Sequence, residues 1–239
     1  MSSAPGKGRY YALDALRGLS ILLMVAYHFG YNLVLYRIAP PALLDNPLLN
    51  VLQPFFASVF IAISGASCTF SHSNLRRGLR ILACAALVTL ATRLFDPNAY
   101  VRFGILHLLG FAALIYQVVS PVLSKTMRFG WAWLAPFFLT YFALDRTFPV
   151  EHLWALGLRS PSFASTDYFP IMPWIFMYFF GVWLGGMVSQ GRMPGWFYRL
   201  RFPFFERCGR HTLIIYVVHQ PVLIGLVYLI LFVMRRLGA

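Results

Sequence analysis

Long apolar stretches, separated by short polar ones, dominate the sequence. Seven of them approach the roughly 20 residues that a membrane-spanning helix requires. They lie at about residues 11–36, 48–71, 78–95, 103–124, 129–146, 168–190 and 211–234. Prolines, glycines and short charged segments, which are typical helix breakers, stand between most of them. The pattern predicts an all-α polytopic integral membrane protein, with about seven transmembrane helices in one bundle and a single domain over residues 1–239.

The composition supports a membrane protein over a soluble one. Charged residues make up 11% of the 239 residues, against roughly 25% in a soluble globular domain. So few charges could not cover a water-facing surface, which argues against a soluble enzyme and against a disordered chain. The first apolar stretch carries Asp14, Arg17 and His28 and has no small-residue cleavage site, so we expect a retained helix and not a signal peptide. The three cysteines show no spacing typical of a disulfide framework or a metal site.

The charge balance is strongly basic, with 20 Lys and Arg against 7 Asp and Glu. Most basic residues lie between the apolar stretches, where they are typical of topology signals and not of nucleic-acid binding. With a cytoplasmic N-terminus, 13 of the 20 fall on the cytoplasmic side. We therefore expect the N-terminus in the cytoplasm and the C-terminus outside it. Five cytoplasmic arginines could also bind an anionic ligand, namely Arg76, Arg77, Arg80, Arg207 and Arg210.

Four polar residues recur along one face of the first predicted helix. Arg17 and His28 are eleven residues apart, about three helical turns, so they share a face and lie roughly 16 Å apart along the axis. Asp14 precedes Arg17 by three residues and Asn32 follows His28 by four, on nearly the same stripe. We call these four residues the polar seam. Ionisable groups in a bilayer cost roughly 2.5–3.5 kcal/mol each, so the seam indicates a function. The simpler alternative is an Asp14–Arg17 ion pair at the membrane edge and a packing role for His28.

Polar residues also stand near the ends of other predicted helices. They are His107 near the start of the fourth, Asp167 and Tyr168 at the start of the sixth, and Tyr216, His219 and Gln220 on one face of the last. Asp167 could cap the sixth helix. A lone histidine at such a place is more often a helix-packing group than a ligand, and that alternative stays open for each histidine.

Four stretches of the sequence, taken in order, resemble a known family. They are Leu13–Gly18 with Tyr27–Phe29, then Phe103–His107, Asp167–Trp174 and Tyr216–Pro221. Together they resemble the bacterial heparan-alpha-glucosaminide N-acetyltransferase-like membrane proteins, over about residues 9–237. The spacing of Arg17 and His28 is also similar to a signature of the wider membrane acyltransferases that modify cell-surface glycans.

The resemblance implies a transferase in the bacterial inner (cytoplasmic) membrane. Acetyl-CoA would bind from the cytoplasmic side, and the acetyl group would pass to a sugar amine or hydroxyl at the extracytoplasmic face. In the wider signature the histidine is the catalytic one, which corresponds here to His28 as general base or acyl carrier. Lysosomal members of the family have their catalytic histidine further along the chain, near Ala39, where this sequence has none. Either His28 serves instead, or the chemistry differs.

Chemistry and resemblance together define the candidate site. Histidine can act as base or nucleophile in acyl transfer near neutral pH, and the developing oxyanion needs hydrogen-bond donors. His107, Tyr168 or backbone amides at the start of the sixth predicted helix could supply them. The predicted catalytic residues are Asp14, Arg17, His28, Asn32, His107, Asp167, Tyr168 and His219. The predicted contacts of coenzyme A, without a metal ion, are Arg17, Arg76, Arg77, Arg80, Arg207, Arg210, Tyr216 and Gln220.

Two other classes of function stay open. A non-enzymatic transporter or flippase could use the polar seam as a substrate path. A structural or assembly subunit would tolerate the loss of His28. For the enzyme, the expected partners are the lipid bilayer, coenzyme A and a sugar or glycan acceptor, without nucleic acid. The acceptor, the acyl chain and the oligomeric state are left open, with a homodimer as one option.

Overall fold

The structure, a computed structural model, describes residues 9–237, with the backbone alone for residues 124–128. The ends of the predicted domain, residues 1–8 and 238–239, lie outside the described residues. The chain is 75% helical, and the part that the structure describes contains no strand. The prediction of an all-α protein is therefore confirmed.

Within residues 9–237 the chain forms nine α-helices joined by short 3₁₀ turns and loops. They are α1 (Tyr11–Leu35), α2 (Pro47–Cys68), α3 (Asn74–Phe95), α4 (Ile105–Thr126), α5 (Leu134–Ala143), α6 (Ile171–Ser189), α7 (Gly195–Arg199), α8 (Pro203–Arg210) and α9 (Thr212–Leu237). Six of these, α1, α2, α3, α4, α6 and α9, are long and apolar enough to cross a membrane. The protein is thus a polytopic integral membrane protein, as predicted.

The fifth predicted span is shorter than expected. The stretch predicted at 129–146 forms a 3₁₀ segment, Met127–Trp133, followed by the ten-residue helix α5. Phe129 departs from helical geometry (φ −116°, ψ 39°), which interrupts the α-helix at that residue, whereas Pro136 lies in the first turn of α5, where a proline removes no helical hydrogen bond. The 3₁₀ segment and α5 together still cover about 29 Å, close to the hydrocarbon thickness of about 30 Å.

The helices α4 and α6 begin at the same end of the central unit, so the segment between them has to run back to that end. Asp167, just before α6, accepts a hydrogen bond from the backbone N–H of Ile105, the first residue of α4, at 3.1 Å. The backbone N–H of Phe169 donates to the carbonyl of Phe103 at 2.9 Å. Since both helices are long enough to cross the membrane, the chain from Met127 to Ala143 has to return across it between them. This short segment therefore adds a seventh crossing to the six long helices, and it is the fifth in chain order.

The helices fall into two compact units. The terminal unit comprises the described residues up to Phe60 and those from Pro194 onward, and the central unit is Ile61–Met193. In the terminal unit α1 packs against α8 and α9, and in the central unit α3 packs against α4 and α5 against α6. Helix α2 continues from one unit into the other. The expectation of a single domain over residues 1–239 stays a prediction.

Two glycines allow close helix packing in the terminal unit. A β-carbon at Gly18 of α1 would overlap the carbonyl oxygen of Phe205 in α8, and one at Gly209 of α8 would overlap the carbonyl oxygen of Asp14. Small residues at such positions let two backbones touch, which is a common mode of helix association in membranes. The contact places the basic helix α8 beside the first turns of α1.

Candidate active site

Polar side chains of α1 and α9 meet inside the membrane-spanning helices of the terminal unit. The rings of His28 and His219 lie with their centroids 5.1 Å apart and their planes inclined by 53°. One turn further along α1, the side-chain amide of Asn32 donates to the side-chain carbonyl of Gln220 at 2.9 Å. We call these four residues the α1–α9 polar cluster. The structure thus joins predicted site residues from the two ends of the chain.

Burial makes the amide pair important for the geometry of the cluster. Asn32 is 2% exposed and His219 is 8% exposed, whereas His28 is half-buried. A buried polar group that loses its partner costs about 1–3 kcal/mol, so the Asn32–Gln220 bond favours one axial register of α1 against α9. That register in turn sets the separation of the two imidazole rings. Gln220, predicted as a cofactor contact, therefore holds the cluster together.

A backbone contact defines the protonation pattern of His219. Its Nδ1 lies 2.5 Å from the carbonyl oxygen of Tyr216. Because a carbonyl only accepts, Nδ1 is the protonated nitrogen, and the lone pair of the neutral ring is on Nε2. Pro221, which lacks an N–H, interrupts the hydrogen bonding of α9 next to this site. Tyr216, also predicted as a cofactor contact, thus orients His219 through its main chain.

The N-terminal end of the polar seam is an ion pair. Arg17 donates to one oxygen of the Asp14 carboxylate at 3.3 Å, and Arg9 donates to the other at 2.5 Å. Asp14 is buried, and the two guanidinium groups balance its charge. The structure therefore contains the ion pair that was the simpler interpretation of Asp14 and Arg17. The buried Ile21 lies on the same face between Arg17 and His28, so the seam consists of two separate polar sites.

Helix α8 presents basic side chains in the same unit as the cluster. Its residues Arg207 and Arg210 are exposed. Its acidic residue, Glu206, accepts hydrogen bonds from the Arg201 side chain at 2.9 Å and from the backbone N–H of Phe202 at 2.8 Å. The hydrogen bonds from Arg201 lower the pKa of Glu206, so this carboxylate is ionised and already paired. The two exposed guanidinium groups have the fork geometry that suits phosphate.

The three arginines at the start of α3 differ in their surroundings. Arg76 and Arg80 are exposed, whereas Arg77 is half-buried. The guanidinium of Arg77 donates to the carbonyl and hydroxyl oxygens of Ser64 at 3.1 and 2.9 Å. It also reaches the Sγ atom of Cys68 at 3.7 Å. Arg77, predicted to contact the cofactor, binds the end of α2 in the structure.

A carboxylate before α6 caps a different helix from the one expected. Asp167 accepts from the first N–H of α4, whereas the residue that precedes α6 is Pro170, which makes no side-chain cap. The backbone of Tyr168 pairs with that of Phe103, and this pairing places the Asp167 carboxylate beside the start of α4. Gly104 leaves the space, since a β-carbon there would overlap the Asp167 carboxylate. The prediction that Asp167 caps the sixth helix is therefore wrong.

His107 uses both ring nitrogens in local hydrogen bonds. The backbone N–H of Gly104 donates to Nδ1 at 3.2 Å, so in the neutral ring Nε2 carries the proton and donates to the Thr89 hydroxyl at 3.3 Å. The Thr89 hydroxyl donates onward to the carbonyl of Val101 at 2.8 Å. The ring also stacks on Phe103, with centroids 5.4 Å apart. These contacts favour the packing alternative for His107 over a role as oxyanion donor.

Tyr168 is likewise bonded to the loop around it. Its hydroxyl donates to the carbonyl oxygen of Trp154 at 2.6 Å. Burial raises the pKa of Tyr168 to about 12, so the phenol keeps its proton at neutral pH. Its single O–H is used in this bond, and donation to an oxyanion would require release of Trp154. Tyr168 and His107 belong to the central unit, whereas the α1–α9 polar cluster belongs to the terminal unit.

A buried polar group at the end of α2 carried no signal in the sequence. The Cys68 thiol contacts the hydroxyl of Tyr178, and the side-chain amide of Asn74 donates to the Cys68 carbonyl at 3.2 Å. Together with Arg77, these residues connect α2, α3 and α6 within the central unit. Because they come from three helices, no local spacing indicates them.

Comparison with known proteins identifies the family of the chain. The family model described as heparan-alpha-glucosaminide N-acetyltransferase, catalytic, matches residues 9–221. The matched region includes all four residues of the α1–α9 polar cluster. Searches of curated proteins and of solved structures find no match. The chain belongs to the heparan-alpha-glucosaminide N-acetyltransferase catalytic family.

Proposed function

We propose that the protein moves an acetyl group from cytoplasmic acetyl-CoA to a sugar amine or hydroxyl at the extracytoplasmic face. Its family supports the coarser statement, a transmembrane acetyltransferase role. The observation that carries the finer proposal is the approach of His28 to His219 inside two membrane-spanning helices, with ring centroids 5.1 Å apart. Two imidazoles can take, hold and return a proton near neutral pH, which acyl transfer requires.

The two histidines are suited to different roles. His219 is buried and is held through Nδ1 by the Tyr216 carbonyl, so we assign it an orienting role. His28 is half-buried, so we assign it contact with the acceptor. In direct transfer, the acceptor amine or hydroxyl attacks the acetyl carbonyl and gives its proton to His28. The coenzyme A thiolate leaves as the new bond to the acetyl group forms. In the other route, a ring nitrogen of His28 attacks the thioester carbonyl, the C–S bond breaks and the coenzyme A thiolate leaves. The acceptor then attacks the acetylated imidazole, takes the acetyl group and releases the free histidine.

The basic face of α8 is the proposed site for the phosphates of the donor. Arg207 and Arg210 are exposed there, and planar guanidinium groups can bind phosphate with two hydrogen bonds each. Gly209 brings α8 against the first turns of α1. From Arg17 to His28 that helix rises roughly 16 Å, the scale of an extended cofactor arm. These residues fit a donor with its phosphates at one end of α1 and its acyl group at the cluster.

We also propose a cytoplasmic N-terminus in the bacterial inner membrane. With seven crossings, 13 of the 20 basic residues lie on the side of the N-terminus. The starts of α4 and α6 are then extracytoplasmic, and so is the C-terminus. A reporter that is active only in the cytoplasm should be inactive when it is fused after Leu237. Reporter activity there would overturn this orientation.

Two features support an enzyme over a transporter. A path for a polar substrate needs polar groups along its length. The buried Ile21 interrupts the polar seam between Arg17 and His28. At the end of the seam, Arg17 is engaged by Asp14 at 3.3 Å. Two separate polar sites suit a donor at one end and chemistry at the other.

Labelled acetyl-CoA and glucosamine, given to the purified protein in lipid nanodiscs, test the proposal. We expect label on glucosamine with the wild type and none above background with His28→Gln. His211→Gln is the matched control, because His211 is exposed just before α9. Label that stays on the wild type when glucosamine is omitted, and is absent from His28→Gln, would identify the acyl-carrier route. A wild type that binds coenzyme A but transfers no label would contradict the proposal.

A further inference from the structure

The chain that leads into α9 forms two short helices, α7 and α8, which pack on the start of α1. In α7 the side chain of Phe197 is buried, and the ring centroid of Tyr198 lies 6.4 Å from that of Tyr10, the residue before α1. In α8 the close contact is at Gly209, whose α-carbon leaves no room for a side chain beside the carbonyl of Asp14. Each short helix therefore holds one side against α1 and turns the opposite side away from it.

The first turns of α1 lie at the level of the lipid headgroups. A helix of 25 residues rises roughly 37 Å, which exceeds the hydrocarbon thickness of about 30 Å by about 7 Å. The charged residues of α1, Asp14 and Arg17, stand near its N-terminal end, and charge is tolerated only close to the membrane surface. The excess length therefore belongs at this end. Since α7 and α8 pack against these turns, they lie at the boundary between lipid and water.

The outward sides of α7 and α8 carry the same pair of residues, an aromatic ring and an arginine three positions later. The pairs are Trp196 with Arg199 and Phe204 with Arg207, and residues three apart share one face of a helix. Trp196 is 61% exposed, Phe204 is 67% exposed, and both arginines are exposed too. Aromatic rings are enriched at membrane interfaces, where an arginine can reach the headgroups with its guanidinium and keep its stem in apolar surroundings.

The charge of this segment favours a negatively charged lipid. Residues 194–210 contain four arginines and a single acid, Glu206, which gives a net charge of +3. Glu206 is buried, and its carboxylate accepts hydrogen bonds from Arg201 at 2.9 and 3.2 Å, so it offsets only one of the four cations. Basic surfaces with exposed aromatic rings bind anionic membranes, because the rings enter the acyl boundary while the cations attract the headgroups. A soluble acidic partner would pair with the arginines but would leave the rings exposed to water.

We propose that α7 and α8 bind anionic phospholipids at the membrane surface. Trp196 and Phe204 insert at the boundary between headgroups and acyl chains, and Arg199 donates hydrogen bonds to a lipid phosphate. A zwitterionic headgroup carries the same phosphate but no net charge, so it is attracted less. Arg199 has no part in the proposed donor site at Arg207 and Arg210, so this inference does not depend on the proposed function. Bound lipid would hold the outward side of α8 in place.

Tryptophan quenching in full-length protein in nanodiscs tests this surface, with phosphatidylglycerol as the anionic probe and phosphatidylcholine as the zwitterionic one. Lipid that is brominated on its acyl chains quenches the tryptophans it touches. The chain has six tryptophans, so the difference between the wild type and Trp196→Phe isolates the signal of Trp196. We expect brominated phosphatidylglycerol to quench Trp196 more strongly than brominated phosphatidylcholine at the same mole fraction. Equal quenching by the two lipids, or no quenching of Trp196 by either, would overturn the proposal.

Variants of Arg199 test whether its charge causes the preference for anionic lipid. Arg199→Gln should reduce the preference of the Trp196 site for phosphatidylglycerol by about fivefold, the effect of one cation near an anionic surface. Arg199→Lys keeps the charge and should retain most of the preference. Arg235→Gln, which removes the same charge from an exposed position at the far end of α9, is the matched control and should behave like the wild type. An unchanged preference in Arg199→Gln, or an equal loss in Arg199→Lys, would overturn the assignment of Arg199.

Discussion

The histidines of the two units lie in similar surroundings but are held in different ways. In the central unit, His107 uses both ring nitrogens in bonds with Gly104 and Thr89. In the terminal unit, His219 is anchored through Nδ1, and its ring approaches that of His28. All three lie in membrane-spanning helices, where any ionisable residue invites a functional interpretation. The partners of the ring nitrogens, and not depth in the membrane, distinguish a structural histidine from a candidate catalytic one.

Replacing the histidines one at a time should give the largest contrast. His28→Gln should lower turnover by about 10²–10⁴-fold, the loss typical of a general base, with little change in melting temperature or coenzyme A affinity. His107→Gln should keep most of the turnover and lower the melting temperature, because Gly104 and Thr89 lose a partner. Steady-state transfer rates and thermal unfolding measure both effects. Near-normal turnover of His28→Gln would break the comparison and move the search to His219.

The arginines of the two units should give the next largest contrast. The double variant Arg207→Ala with Arg210→Ala should raise KM for acetyl-CoA by at least about tenfold and change kcat little, since each charge-assisted contact contributes roughly 1.5–3 kcal/mol. Arg77→Ala should lower the melting temperature instead, because its guanidinium binds the end of α2. Initial rates over a range of acetyl-CoA concentrations give KM and kcat for both variants, and thermal unfolding gives their melting temperatures. An unchanged KM in the double variant would mean that these arginines serve only as topology signals.

A smaller effect is expected at the amide pair beside the histidines. Asn32→Leu should lower the free energy of unfolding by on the order of 1 kcal/mol, because Gln220 loses its partner in the membrane. Adding Gln220→Leu should recover part of that loss, since two apolar side chains leave no polar group unpaired. Turnover should fall in both variants, because the register of His28 is altered. Strictly additive effects in this double-mutant cycle would show that the pair does not couple α1 to α9.

The smallest effect concerns how stability depends on pH through Glu206 of α8, whose carboxylate is paired with Arg201. Hydrogen bonds from Arg201 lower the pKa of Glu206 in the folded protein. A lowered folded pKa contributes stability above the ordinary glutamate value of 4.5, and that stability is lost as pH falls through the folded pKa. Melting temperatures measured from neutral pH into this acidic window should therefore decline less steeply for Glu206→Gln than for the wild type. Parallel declines would exclude a contribution from this contact.

The long helices could be predicted because they depend on local sequence. The stretches predicted at 48–71 and 211–234 correspond to α2 (Pro47–Cys68) and α9 (Thr212–Leu237). Mean hydropathy over about 20 residues is a property of the stretch itself. The fifth crossing is less regular than predicted, because hydropathy does not register the non-helical backbone at Phe129.

The candidate site could be predicted only where its parts are neighbours in sequence. Asp14 and Arg17 are three residues apart on one helix, and they form the ion pair that this spacing indicates. Asn32 and Gln220 are 188 residues apart, and no periodic pattern in the sequence indicates the hydrogen bond between them. Asp167 likewise finds its partner on another helix. Such pairings depend on tertiary packing, which hydrophobic periodicity does not encode.

The short crossing before α6 bears on how the chain is inserted into the membrane during synthesis. Only ten residues of this crossing, those of α5, are α-helical, about half the number that holds a helix in the bilayer on its own, and the rest is the 3₁₀ segment. Helix α5 packs against α6, where the rings of Phe137 and Trp174 lie with centroids 5.5 Å apart. We therefore expect α5 to enter the bilayer together with α6, as a hairpin, once both have left the ribosome. Residues 144–170 would then be translocated as the tip of that hairpin, so the placement of this loop depends on a helix contact made in lipid.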